Sequence, residues 1–331
     1  EDEEVPASAN FLWFLELPEA VNLSGNLRYG SLIRPVATGP YVPLLMAADV
    51  YGTINLGPAV AHVTTGLGAK NAGLAAIAPI CEPSPGSCGA QWIGREFWLG
   101  AKLAEEAVMV RAGRMNLPFG LRNNEHTTYV RQLTKSDINT AQQYGVAAAY
   151  NSDSLRGEVM GIVGNFQIGP DARRERGYSA FAEYALTQKA YLGASSLMTL
   201  AKEDLSTGVQ TTRHAHGLFA RLAPSKKLAL LAEADLLAWQ EAPSNRLGLA
   251  ALLQGDYELI SGLHVLGTVE AGHSGHTGER SPSLGGWLSA TWYFLPHAEM
   301  RLDNIFRFIS GASAELYSFE YALLVQLHVF L

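Results

Sequence analysis

The chain predicts an all-β fold: a transmembrane antiparallel β-barrel of about 16 strands, with short turns at one rim and longer loops at the other. Three observations carry this. From Tyr317 to Leu331 every second residue is apolar or aromatic (Tyr317, Phe319, Tyr321, Leu323, Val325, Leu327, Val329, Leu331), and the residues between are a mixed, mostly smaller or polar set. A period of two is one strand with two unlike faces, and this strand outruns the roughly five or six residues usual in a soluble sheet. Charged residues make up 17% of the chain, below the roughly 25% of soluble domains, yet no run of about 18 apolar residues offers a membrane helix. Finally, turn signals cut the chain into segments whose connections alternate between short and long, as barrel turns and loops do.

Residues 1–20 stand apart from the strand pattern. Glu1-Asp2-Glu3-Glu4 reads as a start exposed by signal cleavage. The cluster Phe11-Leu12-Trp13-Phe14-Leu15 is closed by Glu16 and Pro18. Its plainest role is packing on the barrel rim. The alternatives are a short periplasmic helix, a plug in the barrel mouth, or a docking peptide that engages a partner protein through Phe11, Trp13 and Phe14.

Residues 21–331 supply the barrel. Expected strands cover 21–35, 42–54, 59–70, 90–103, 106–117, 141–150, 155–168 and 177–187, then 189–201, 212–223, 226–240, 245–256, 259–272, 283–294, 297–308 and 317–331. Turns at Asn55 to Pro58, Ala104-Glu105, Asn151 to Ser154, Gln188, Pro224-Ser225, Tyr257-Glu258 and Leu295-Pro296 are short. The connections between them are mostly longer, and Pro118 to Thr140 is the longest. This third outer loop can fold inward and narrow the lumen; it carries the constriction candidates Arg122, Glu125, Arg131, Lys135 and Asp137.

Face parity assigns the lumen. In the first strand Val21, Leu23, Leu27, Tyr29 and Ile33 alternate with Asn22, Ser24, Asn26, Arg28 and Arg34. Charge on a lipid-facing position is costly, so the polar set points inward. The same rule gives Arg111 to the lumen early in the chain, and Glu233, Asp235, Glu270, Glu299, Arg301 and Asp303 late in it. Arg114 has the opposite parity to Arg111 and joins it only if Gly113 marks a bulge or if Arg114 sits at the strand end. Arginines facing carboxylates either set a transverse field across a pore or neutralise one another in a plugged barrel. The segments 141–150 and 189–200 are rich in small residues and nearly charge-free, so their parity is poorly determined; they are a subunit contact or plain wall. Trp92, Trp98, Trp239, Trp287 and Trp292, with Tyr29, Tyr184 and Tyr293, read as headgroup-level girdles.

The remaining motifs are sparse. Cys81 and Cys88 flank a Pro-Gly turn and read as a disulfide clip, with free thiols or half a metal site as alternatives. His214 and His216 share a face, and His273, Ser274 and His276 share a loop, but neither group reaches the three or four ligands a metal needs. Net charge is −7, which argues against nucleic acid as a partner. No nucleotide fingerprint is present, and no cofactor is expected.

The order of elements, the long third outer loop and the terminal strand together resemble the Gram-negative general porins across nearly the whole chain, in architecture more than in motif. The run Arg114-Met115-Asn116-Leu117-Pro118-Phe119-Gly120 is similar to the Pro-Phe-Gly segment of phosphate-selective-type porins, without the lysine-rich ladder of that family. The resemblance implies residence in the outer membrane of a Gram-negative bacterium, lipid contact, a homotrimer, passive diffusion of small hydrophilic solutes or ions, and no catalytic step. Porins end in an aromatic residue; here Phe330 is penultimate and alternation gives Leu331 the lipid face. A plugged barrel that scaffolds a partner is the alternative function, and an outer-membrane hydrolase using Ser274 and a histidine a remote one.

Overall fold

A computed structural model of the chain describes all residues except 1–9, 12–14, 36–40, 70–77, 80–89, 123–127, 139, 206, 242–243, 276–282 and 311–316. Sixteen long strands follow in order: β1 (Val21–Ile33), β2 (Tyr41–Leu56), β3 (Ala59–Ala69), β4 (Ala90–Leu103), β5 (Val108–Met115), β6 (Gln143–Asn151), β7 (Leu155–Gly164) and β8 (Arg176–Thr187), then β9 (Ala190–Ala201), β10 (Thr211–Ser225), β11 (Leu228–Glu241), β12 (Ser244–Ile260), β13 (Leu263–His273), β14 (Ser283–Leu295), β15 (Ala298–Ser310) and β16 (Tyr317–Phe330). Each pairs antiparallel with its sequence neighbours, and β16 returns to β1 with Leu323 opposite Ile33 and Phe330 opposite Asn26, closing the cylinder. The Leu331 N–H donates to the Gly25 carbonyl at 3.0 Å and extends that seam. A short strand, Ala78–Pro79, lies against Leu44 and Leu45 of β2. Asn10–Phe11 pairs with Leu15–Glu16 as a separate two-stranded piece.

The expected strand order holds, with boundaries shifted by a few residues. The largest shift is between β12 and β13, where the turn falls at Ser261 and Gly262 rather than at Tyr257-Glu258. Gly262 has φ +80°, a conformation glycine adopts without steric cost, so the chain reverses there and β12 runs on past Glu258.

Three consecutive residues of β11 show the two faces. Asp235 is 0% exposed, Leu236 is 67% exposed and Leu237 is 3% exposed. The outward set is apolar on every side of the cylinder, with Leu99, Val159, Leu218, Leu247, Leu253 and Leu288 among its most exposed members. So much bare hydrocarbon is unfavourable in water, at about 25 cal/mol per Å². It is the natural surface of a closed barrel in lipid, where every backbone polar group is satisfied within the sheet.

The aromatic residues divide between the faces. Trp92, Trp292, Tyr29 and Tyr184 lie exposed on the outside. Trp98, Trp239, Trp287 and Tyr293 face inward and are not girdle residues. Trp287 has a physical reason: its indole N–H needs an acceptor and donates to Glu270 at 3.1 Å.

Candidate functional site

The interior is organised by the loop between β5 and β6. Leu117, Phe119 and Val130 of that segment are 4%, 1% and 0% exposed, and they pack against Met160, Ile162, Leu197, Ala215, Leu237 and Leu252 from β7 to β12. Those wall residues have inward parity, so the loop lies inside the barrel against one side of it. Burying a side chain such as Phe119 supplies about 1.5–3 kcal/mol. The chain therefore enters the lumen because its apolar residues find an apolar stretch of inner wall.

Polar anchors fix the position. The helical turn α1 (Tyr129–Thr134) carries Arg131, whose Nη2 meets Glu233 Oε2 at 2.6 Å with both side chains 1% exposed. The same oxygen accepts the Leu121 N–H at 3.0 Å, and Arg131 Nη1 donates to Ser136 Oγ at 2.9 Å. Glu270 Oε2 accepts the Tyr129 N–H at 2.8 Å, while its other oxygen meets Arg307 at 3.3 Å. Arg213 Nη1 donates to the Thr134 carbonyl at 2.5 Å, closing the end of α1. Ser179 Oγ donates to the Pro118 carbonyl at 3.0 Å. Two glycines permit the close approach. A methyl group at Gly120, which has φ +54°, would sit 1.8 Å from Glu233 Oε1, and one at Gly272 would sit 2.9 Å from the Tyr129 ring.

At the long-loop rim, Lys135 lies 3.5 Å from Asp204 and 3.7 Å from Glu175. Glu175 also pairs with Arg213 and accepts from Thr199 Oγ1 at 2.8 Å. Burial pushes the Glu175 carboxyl up, but the charges of Arg213 and Lys135 and these hydrogen bonds outweigh it and hold it below the ordinary carboxylate range. Asp137 accepts from Thr140 Oγ1 at 3.0 Å.

The structure distributes the sequence-derived candidates unevenly. Arg28 has inward parity and stands near Glu299, which pairs with His328 at 2.9 Å. Arg111 faces inward and pairs with Glu158. Arg301 and Asp303 pair with each other at 2.7 Å, and Asp303 is 0% exposed. Arg122 and Arg131 lie inside on the loop. Arg34 falls beyond the end of β1 and is exposed at the long-loop rim, so it does not line the wall. Arg114 does not join Arg111. The pairing register passes Gly113 without a shift, leaving Arg114 on the face of Phe97 and Tyr144, with its guanidinium donating to the Gly94 carbonyl at 2.6 Å.

The expected acidic wall is also corrected. Glu233, Asp235 and Glu270 are 3%, 0% and 1% exposed. Glu233 and Glu270 lie beneath the loop, where they accept from backbone N–H groups and, for Glu233, from Arg131, and Asp235 is buried beside Glu233 on the same strand; none of the three lines open water. Glu125, Cys81, Cys88, Trp13 and Phe14 lie outside the described residues, as do His276 and the side chain of Phe11. His214 and His216 share the outward face of β10, beside Ser196.

Sequence reasoning missed a second group on the inner wall near the short-turn rim. Glu158 accepts from Arg111 and, at 3.1 Å, from Arg122. Glu183 accepts from Arg156 at 2.8 Å and from Arg221 at 2.9 Å. Arg122, Arg156 and Arg221 keep 41%, 48% and 36% of their side chains exposed, so water reaches the interior. The signal was present: Arg156 and Glu158 alternate with Leu155, Gly157 and Val159.

A closed sixteen-strand cylinder, apolar outside, charged inside and entered by one long loop, has the architecture of an outer-membrane β-barrel protein. No protein-family model matches the sequence, and no curated protein matches it. Solved structures do match. OmpT, an outer membrane protein of Vibrio cholerae in its trimer form, superposes with TM-score 0.69 at 9% identity over 94% of this chain and 99% of that one. OmpF of Salmonella typhi, in complex with daunomycin, gives 0.66 at 12% identity over 94% and 97%. An anion-selective porin from Comamonas acidovorans gives 0.62 at 11% over 94% and 99%. The fold is that of the porins.

Proposed function

We propose that this chain is an outer-membrane porin of a Gram-negative bacterium, passing small hydrophilic solutes or ions by passive diffusion and performing no chemistry on them. The observation that carries the reading is the loop docked on one side of the inner wall while Arg122, Arg156 and Arg221, nearer the short-turn rim, stay wet. A barrel filled by its own loop would bury them. The lumen width set by the loop then excludes large solutes, and the charged walls tune what passes. The trimer form of the OmpT neighbour supports a homotrimer here.

The test is single-channel conductance of the purified chain in planar bilayers. Stable steps are expected, and excision of residues 119–138 should raise the step size severalfold. A scaffold with a blocked lumen would be silent, and silence would overturn the reading.

A further inference from the structure

The group near the short-turn rim is more than a set of ion pairs. Its contacts run as one arc through β3, β4, β5, the inserted loop and β7 to β10. His62 stacks on Trp98 at 5.1 Å, and the Arg111 guanidinium lies 5.0 Å over the same indole. Glu158 links Arg111 to Arg122, which lies 5.4 Å over Phe181. Arg156 lies 6.0 Å from that ring, Glu183 links it to Arg221, and Arg221 lies 4.8 Å over Tyr191.

The arc is layered. The Glu158 and Glu183 side chains are 6% and 1% exposed, whereas three of the four guanidinia in front of them are more than a third exposed. Glu96 stands behind with them, bonded to Asn116 at 2.6 Å. A solute in the lumen therefore meets guanidinium first and carboxylate second. Each guanidinium carbon lies 4.8–6.0 Å from an aromatic ring centre, and a glutamate takes part of each guanidinium's N–H edge. The three wetter ones offer the lumen a planar cation with an aromatic ring beside it. Planar cations and aromatic rings together recognise a planar group bearing an oxyanion, through stacking and charge-assisted hydrogen bonds.

We propose that this arc is a binding ledge for small planar oxyanions, arene carboxylates foremost, on the solute path. The proposal rests on the channel reading above and narrows it to a solute class. The experiment is block of chloride current through the full chain in planar bilayers by sodium benzoate, with sodium acetate as the non-planar-bodied comparison. Benzoate should reach half-block at a concentration roughly three- to tenfold below that of acetate.

The Arg122→Lys, Arg156→Lys double variant keeps both charges and loses both planar forks. In this variant benzoate and acetate should come to block alike. If the double variant does not fold, Arg156→Lys alone should move the ratio the same way by less. Equal block by the two anions in the wild-type channel overturns the ledge and leaves the channel standing. A silent barrel overturns both.

Discussion

The two sides of the inner wall follow different rules. From β7 to β12 the inward side chains include Met160, Ile162, Leu197, Ala215, Leu237 and Leu252, and a loop covers them. From β14 round to β4 the inward set is instead charged, in the pairs Glu299–His328, Arg301–Asp303 and Asp49–Arg95. A barrel in lipid needs an apolar outside everywhere, but its inner wall is free to be apolar where a loop covers it. The covered side is a small soluble-type core built inside a membrane cylinder, held by buried carboxylates that accept from backbone N–H groups.

Breaking the covered side at its anchor should have the largest effect. Glu233→Ala leaves Arg131 buried without its partner, a change that costs about 3–5 kcal/mol. The loop should release: amide exchange at Leu121 and Val130 accelerates and conductance rises. Arg28→Gln on the charged side should leave that amide exchange at its wild-type rate. If the two variants behave alike, the sides are not energetically distinct.

A subtler wedge is Gly120→Ala. The new methyl would collide with Glu233, and the backbone there favours glycine, so loop docking should weaken by about 1–3 kcal/mol. The barrel itself should keep its resistance to unfolding, read as heat-modifiable mobility on gels.

The smallest effect should come from acid at the long-loop rim. Glu175 ionises below the ordinary carboxylate range, so its contribution is complete above the unfolded value of about 4.3 and is lost as pH falls through the lower folded value. Between about pH 6 and about pH 3, amide exchange around Lys135 should therefore accelerate only at the acid end, after correction for the intrinsic rate. Glu175→Gln should show the faster exchange throughout.

Much of the fold was legible because lipid imposes period two on every strand, and β1, β13, β15 and β16 show it plainly. Parity was hardest to read in 141–150 and 189–200, and the structure explains why. Val146 and Leu192 face outward, while Ala147 and Leu197 face the inserted loop, so both faces are apolar and alternation disappears. Trp239 and Trp287 were assigned to girdles for the same reason, since sequence cannot distinguish lipid from a buried loop. The site was partly legible. Parity placed Glu233 and Glu270 inward, but nothing in the sequence showed that backbone donors of residues 121 and 129 would cover them. The alternation of Arg156 and Glu158 with Leu155 and Val159 was present but passed over; the importance of that pair depends on Arg122 arriving from elsewhere in the chain.

The seam between β16 and β1 has a temporal meaning. Ile33 must find Leu323, so the two elements that complete the cylinder are nearly the most distant along the chain. Until they meet, the growing sheet has two open edges of unpaired N–H and C=O groups that hydrocarbon does not tolerate and that invite pairing with other chains. Such non-local closure is slow. Biogenesis of this protein is therefore expected to need an external agent that holds one edge until the other arrives.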